Sequence, residues 1–322
     1  MSQRIERKPL TDFDSWSNYW AGGVMTSLPE DFSGNYDGEI AEFWYRQFEG
    51  LPARASLLDV CTGNGAIALL AAQYKKENQT DFTIQALDAA QIYPERLTAQ
   101  NSAWRVYLSQ VEFTDQTPFE SFSAPVHSFD LIFSQYGLEY CDLPAAAVQC
   151  KRLIKPGGRL VIVSHAVDTE ILTTMFGEYK QYQQLINSAL IQSIRSAMQS
   201  GKVEDPVWRQ IERAIGELQD AQVIEWAPVI DYALQLARHV QAAKNALPEA
   251  GKAQIIAACS QLEHGYARLT HMLAANQKIN ESSDWTQVFV EHGLARLEQG
   301  SIRYSGKHRV GDYYIFSQQD YG

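Results

Sequence analysis

An aspartate, three further residues and a Gly-x-Gly bend make up DVCTGNG, residues 59 to 65, with aliphatic residues on both sides. A carboxylate ending an apolar run is costly to bury, so Asp59 calls for a charged partner. Gly63-Asn64-Gly65 followed by Ala68 matches the G-x-G-x-x-G/A turn between a strand and a helix. At such a turn a ligand approaches the backbone and the helix start favours negative charge. A pyrophosphate bound there would find Asp59 an unhelpful neighbour. A tail bearing both a carboxylate and an ammonium suits helix start and acid together, as in an adenosyl cofactor with an amino-acid tail. A buried acid bonded to backbone amides is the plainer alternative for Asp59.

Further polar residues close the later apolar runs. Asp88 ends IQALD, where a carboxylate can accept both hydroxyls of a ribose. Asp115, in FTDQTPF, is placed to receive an adenine amino group. FDLIFSQYGLEY puts Ser134, Gln135, Tyr136, Glu139 and Tyr140 at the exit of a fourth run, and LIKPGGRLVIVSH ends on His165. Histidine is the best candidate base there because its ordinary pKa lies near neutrality. A structural histidine fits the position equally well, and Glu139 can bind a cationic acceptor or merely open a helix. Tyr19, Trp20 and Tyr36 are suited to cover a sulfonium through cation–π attraction, or to pack in a core. Cys61 reads as a small apolar residue rather than a nucleophile, and Gly157-Gly158 as a turn after Pro156. The basic group Arg303, Lys307, His308 and Arg309 reads as a solvated hairpin, with contact to an anionic substrate as the alternative.

The elements that must position these residues follow from periodicity. Residues 1 to 50 form an aromatic-rich arm containing Phe32 and interrupted at Pro29, with a short helix near 37 to 48. From 55 to 167, short apolar runs alternate with longer amphipathic ones, which predicts a parallel α/β sheet. From about 169 the period becomes helical. Ile171, Met175, Tyr179, Tyr182, Ile186, Leu190, Ile194 and Met198 form one apolar stripe, with breaks at Gly201, Pro228 and Leu247-Pro248, giving three or four helices. DWTQVFVEHGL predicts one more helix. ARLEQGSIRY and DYYIFSQQ predict an antiparallel hairpin around Gly306 and Gly311. The expected division is an N-terminal arm or lid over 1–50, a core over 51–168 and 281–322, and a helical insertion over 169–280.

In this order and spacing, the set LLDVCTGNG, IQALDAA, FTDQTPF, FDLIFSQYGLEY and LIKPGGRLVIVSH resembles the class I S-adenosylmethionine-dependent methyltransferases. The resemblance covers about residues 55 to 167 and the closing hairpin. It implies a doubly wound, mostly parallel seven-stranded α/β sheet with an antiparallel last strand, interrupted by the insertion. It further implies that Asp59, Gly63 and Gly65 hold the methionyl part of S-adenosyl-L-methionine and Asp88 the ribose, with Asn64 and Ala89 also in the cofactor site. Asp115 would meet the adenine, Ser134 would lie on the cofactor or substrate side of the fourth strand, and Thr114, Gln135, Tyr19 and Tyr36 would complete the cofactor site. Tyr136 and Trp20 would touch the acceptor, with His165, Glu139 and Tyr140 as catalytic candidates. The reaction is in-line methyl transfer leaving S-adenosyl-L-homocysteine, and it requires no metal.

Composition bounds the partners. The chain has 322 residues and a formal charge of -11, which disfavours a nucleic acid. The run after the fourth strand, SQYG, also lacks the Asn/Asp-Pro-Pro-aromatic signature of amino-methylating nucleic-acid enzymes. The opening MSQRIERKPL has no apolar core, and no run approaches the roughly 20 apolar residues of a membrane span. Cys61, Cys141, Cys150 and Cys259 are far apart and include no CxxC, which argues against a zinc site or disulfide framework and for a reducing cytoplasm. The expected partner is a small-molecule acceptor, with the long helices offering a homodimer surface. A protein methyltransferase and a cofactor-binding protein without turnover are the alternatives. A nicotinamide oxidoreductase leaves Asp59 unexplained.

Overall fold

The run SLLDV forms β1 (Ser56–Val60), buried at every position after the first, as a central parallel strand covered on both faces must be. In the computed structural model, residues 12–27, 34–166, 169–199, 205–220, 227–243 and 247–318 are described. The opening decapeptide, Pro29, Phe32 and the break predicted at Gly201 lie outside them. In chain order the elements before and around β1 are α1 (Asp12–Ala21), α2 (Gly38–Phe48), α3 (Ala66–Glu77), β2 (Thr83–Leu87), α4 (Pro94–Gln100), α5 (Arg105–Leu108) and β3 (Val111–Thr114). β4 (Phe129–Gln135), α6 (Leu143–Leu153) and β5 (Ile154–Ser164) follow. Five helices come next among the described residues: α7 (Glu170–Asn187), α8 (Leu190–Gln199), α9 (Asp205–Asp220), α10 (Pro228–Ala243) and α11 (Glu249–Glu281). The chain closes with α12 (Gln287–Glu291), β6 (Leu294–Tyr304) and β7 (His308–Gln318).

The described residues form two compact units, one drawn from 16–169 and 274–318, the other from 12–15 and 170–273. The first is a doubly wound sheet in the order β3-β2-β1-β4-β5-β7-β6. Its first five strands pair in parallel, and β7 runs antiparallel to both neighbours. Side chains alternate between the two faces. Leu58, Val60 and Ile132 join α6, Trp285 and α12 in one core. On the other face Phe133 meets Trp44 and Phe48 of α2 at ring distances of 5.5 and 5.8 Å. Strand order reverses between β1 and β4, so the crevice for a ligand opens at their carboxyl ends.

Three expectations change in this unit. Gly157-Gly158 do not turn into β5 but bulge within it, since Phe129 pairs with Ile154 and Leu131 already with Arg159. Gly311 lies inside β7, where a Cβ would sit 2.9 Å from the Ser164 carbonyl of β5; the hairpin turns at Gly306. Of DWTQVFVEHGL only Gln287–Glu291 is helical.

The second unit packs Leu185, Leu190, Ile194, Ile211, Leu234, Val240 and their neighbours into an apolar interior of its own. The single stripe predicted across 171–198 is in fact two helices. Ser188 and Ala189 separate them, with Ala189 at φ 58° and the Ser188 hydroxyl donating to the Leu185 carbonyl at 2.7 Å. No proline or glycine marks this break, so the helical period ran across it and merged two helices. The break also shifts the phase: Leu185 is fully buried while Ile186 is exposed.

Candidate active site

The turn after β1 departs sharply from strand geometry. Cys61, Gly63 and Gly65 have φ of 58°, 56° and 95°, left-handed values that cost a residue bearing a Cβ. A Cβ at Gly63 would lie 2.5 Å from the Trp20 ring, so glycine there lets the arm's indole lie on the backbone. Trp20 in turn stacks on Trp16 at 6.0 Å and packs with Ala90, Ile92 and Tyr19. The Tyr19 hydroxyl donates to the Thr26 carbonyl at 2.8 Å. Asn64 fastens the arm to the turn. Its amide donates to the carbonyls of Trp20 and Val24, and its oxygen accepts the Tyr93 N–H at 2.7 Å.

Asp59 is buried, and its Oδ2 accepts the Thr62 hydroxyl at 2.7 Å and the Ala68 N–H at 3.0 Å. Among the described residues it has no cationic partner. Burial therefore pushes its carboxyl up to about 7, against the relief those two bonds provide. Asp88 accepts the N–H groups of Gly63 and Ala90, both at 2.8 Å, and burial pushes it up to about 6, with the Asp115 charge adding to the rise. Asp88 thus holds the glycine turn to the end of β2. Ala89 beside it is half-buried, Thr114 accepts the Asp88 N–H through its carbonyl, and Asp115 is half-buried after β3. Three successive strands end in three carboxyl groups along one edge.

The exit of β4 faces that edge. Ser134 Oγ accepts the Leu138 N–H at 3.1 Å, and the Gln135 oxygen accepts the Trp44 indole N–H at 2.6 Å. Burial raises the Tyr36 hydroxyl, which lies beside Ser27 and Gln135; its ring meets Tyr136 edge-on at 6.3 Å. Gly137 carries no side chain because a Cβ would come 2.3 Å from that of Cys61, so the turn after β4 rests directly on the turn after β1.

From this exit, the fully buried Glu139 reaches His165 at the end of β5: Oε1 accepts the His165 N–H at 3.1 Å and lies 2.7 Å from Nδ1. A carboxylate there fixes the imidazole proton on Nδ1 and leaves the Nε2 lone pair available. His165 Nε2 and Glu139 Oε2 are both buried, with no hydrogen-bond partner among the described residues. Tyr136 lies 4.7 Å from the imidazole at a tilt of 35°, with its hydroxyl on the Val310 carbonyl, and Tyr140 stands edge-on at 6.0 Å.

His165 also lines a cavity of about 370 Å³ walled by Asp284, Trp285, Arg296, Arg309, Asp312 and Tyr314 among others. Arg296 pairs with Asp284 at 2.6 Å and Arg309 with Asp312 at 2.5 Å, so these cations and anions cancel. Arg309 is therefore more than part of a solvated hairpin. Asp284, Arg296 and Asp312 carry no motif and were not singled out by sequence. Cys61 and Cys141, remote in sequence, place their sulfurs 3.8 Å apart.

The model of the family described as "Methyltransferase domain" matches residues 53–225, more than half of the chain. The chain belongs to this family, and its methyl donor is S-adenosylmethionine. No curated protein matches it. Among solved structures it is similar to the YcgJ protein of Bacillus subtilis, at 15% identity over 87% of this chain and 98% of the other, with a TM-score of 0.37. A Methanococcus maripaludis protein proposed to be an S-adenosyl-L-methionine-dependent methyltransferase shares 14% identity over 100% and 99% of the two chains, with a TM-score of 0.45. Phosphoethanolamine N-methyltransferase 2 of Haemonchus contortus shares 11% over 98% and 59%, at 0.36. The family assignment rests on the family model alone. The residues of the turn after β1 fit the donor, because Asp59 is a buried acid with no cation beside it among the described residues, next to a helix start that favours an anion. No helix among the described residues is long and apolar enough to cross a membrane.

Proposed function

We propose that this chain transfers a methyl group to a small polar acceptor, with His165 as the base and Glu139 as the residue that orients it. The supporting observation is the Glu139–His165 pair at 2.7 Å, with the imidazole lining a cavity of small-molecule size. Bound S-adenosylmethionine supplies a methyl already activated on a sulfonium. Asp59 would bind the ammonium of its tail, Asp88 the ribose and Asp115 the adenine, while Tyr19, Trp20 and Tyr36 would cover the site. On the acceptor side, His165 would take a proton at Nε2 while its Nδ1–H donates to Glu139, with the Tyr136 ring packed against the imidazole. Because the arginines and aspartates of the cavity neutralise one another, an acceptor without net charge suits it better than a polyanion.

Isotopically labelled donor incubated with the protein and a pool of small metabolites should leave label in diffusible products. Label found only in added protein or RNA would overturn the small-acceptor reading.

A further inference from the structure

We propose that Cys61 and Cys141 form a reversible disulfide that fastens the glycine turn after β1 to the segment carrying Glu139. Their sulfurs lie 3.8 Å apart, whereas a disulfide spans about 2.05 Å, so a rotation at each Cβ and a small backbone shift would close the bond. The approach is built into the fold. Gly137 leaves no room for a side chain against Cys61, and this draws the chain from Tyr136 to Cys141 onto the turn. Cys61 itself holds a left-handed backbone in a turn where glycine would be unstrained. Both cysteines of the pair are half-buried, while Cys150 and Cys259 are fully buried in apolar cores. The Cys61 thiol is held well above its usual range, first by its hydrogen bond to Cys141 and then by burial, so Cys61 is the poorer first nucleophile.

With a small-molecule disulfide as oxidant, the Cys141 thiolate attacks one sulfur of the reagent and expels the other half as a thiolate, forming a mixed disulfide on Cys141. Cys61 passes its proton to solvent and attacks the Cys141 sulfur, expelling the second half of the reagent. Two protein thiols are oxidised to one disulfide, and the reagent is reduced to two thiols. The new bond pins Cys61, which lies between Asp59 and Gly63, to a residue two positions from Glu139. Movement of the turn should weaken donor binding. The bond itself does not depend on the proposed reaction; only its effect on the donor does.

The test is to incubate the whole protein with oxidised glutathione, map its disulfides under non-reducing conditions with fragmentation that separates Cys141 from Cys150, and titrate S-adenosylhomocysteine by calorimetry. The expected result is a Cys61–Cys141 bond, loss of two of the four thiols, and affinity at least tenfold weaker, restored by dithiothreitol. Cys141→Ser should bind the nucleoside normally before and after oxidant. The proposal is overturned by glutathione left on Cys141, by a bond at other cysteines, by no reaction, or by a Cys61–Cys141 bond with affinity changed less than tenfold. If the reduced protein binds no S-adenosylhomocysteine, the donor assignment fails, while the mapping still decides the bond.

Discussion

The two halves of the sheet's carboxyl edge handle buried charge in opposite ways. At the ends of β1 and β2, Asp59 and Asp88 are buried among neutral hydrogen-bond donors, and their carboxyl groups stay partly protonated near neutral pH. In the cavity beyond β5 Asp284 faces Arg296 and Asp312 faces Arg309, while Glu139 is held by hydrogen bonds with His165. The first half leaves an electrostatic demand that a cationic ligand satisfies. The second is balanced within the chain and selects by shape and hydrogen bonding. In the proposed function, the donor's ammonium is assigned to the first half and an acceptor without net charge to the second.

Experiments can break that contrast, and the largest effect belongs to the balanced half. His165→Gln should lower kcat by about 10²- to 10⁴-fold, the usual worth of general base catalysis, with S-adenosylhomocysteine affinity unchanged. Steady-state kinetics with calorimetry would show it, and an equal loss of donor affinity would mean the halves are not separable. Asp59→Asn should act in reverse, weakening donor affinity by roughly 30-fold or more, as loss of one partner from a buried charge pair does. Unchanged affinity would remove the basis for placing the ammonium there.

Gly63→Ala addresses the turn's geometry. Its φ of 56° and the 2.5 Å approach of Trp20 should cost about 1–3 kcal/mol in chemical denaturation and shift tryptophan fluorescence as the indole is displaced. The smallest effect concerns pH. Burial pushes the folded Asp59 carboxyl up to about 7 from its ordinary 3.8, so between those values the unfolded chain has already lost a proton that the folded one keeps. Stability without donor should therefore be fully present at acid pH and decline as pH rises through about 7. Melting temperatures across that range should fall by a few degrees, less so in Asp59→Asn or with S-adenosylhomocysteine bound. Donor affinity should rise over the same interval as Asp59 ionises.

The turn and strand ends of the proposed donor half were legible in the sequence because they are local. Asp59 and its partners Thr62 and Ala68 lie within ten residues, and strand, turn and helix each leave a pattern. Asp88 and Asp115 could be placed because each directly follows a short apolar run. The Asn64 brace was not visible in that role, since its partners Trp20, Val24 and Tyr93 come from segments remote in sequence. The helical unit was misread for a related reason: Ser188-Ala189 breaks a helix by backbone conformation, without a residue type that announces it.

By itself the sequence determined the alternation of strands and helices, the antiparallel close and the acid-glycine turn, because burial periodicity and backbone freedom are properties of neighbouring residues. Only the tertiary structure decided that Glu139 meets His165, that Trp20 lies on Gly63, that Arg296 and Arg309 have acidic partners beside the imidazole, and that Cys61 touches Cys141. Periodicity states which face of an element is buried. Which side chain waits there depends on strand order and register, which put β4 between β1 and β5 and so bring together groups that the chain keeps far apart.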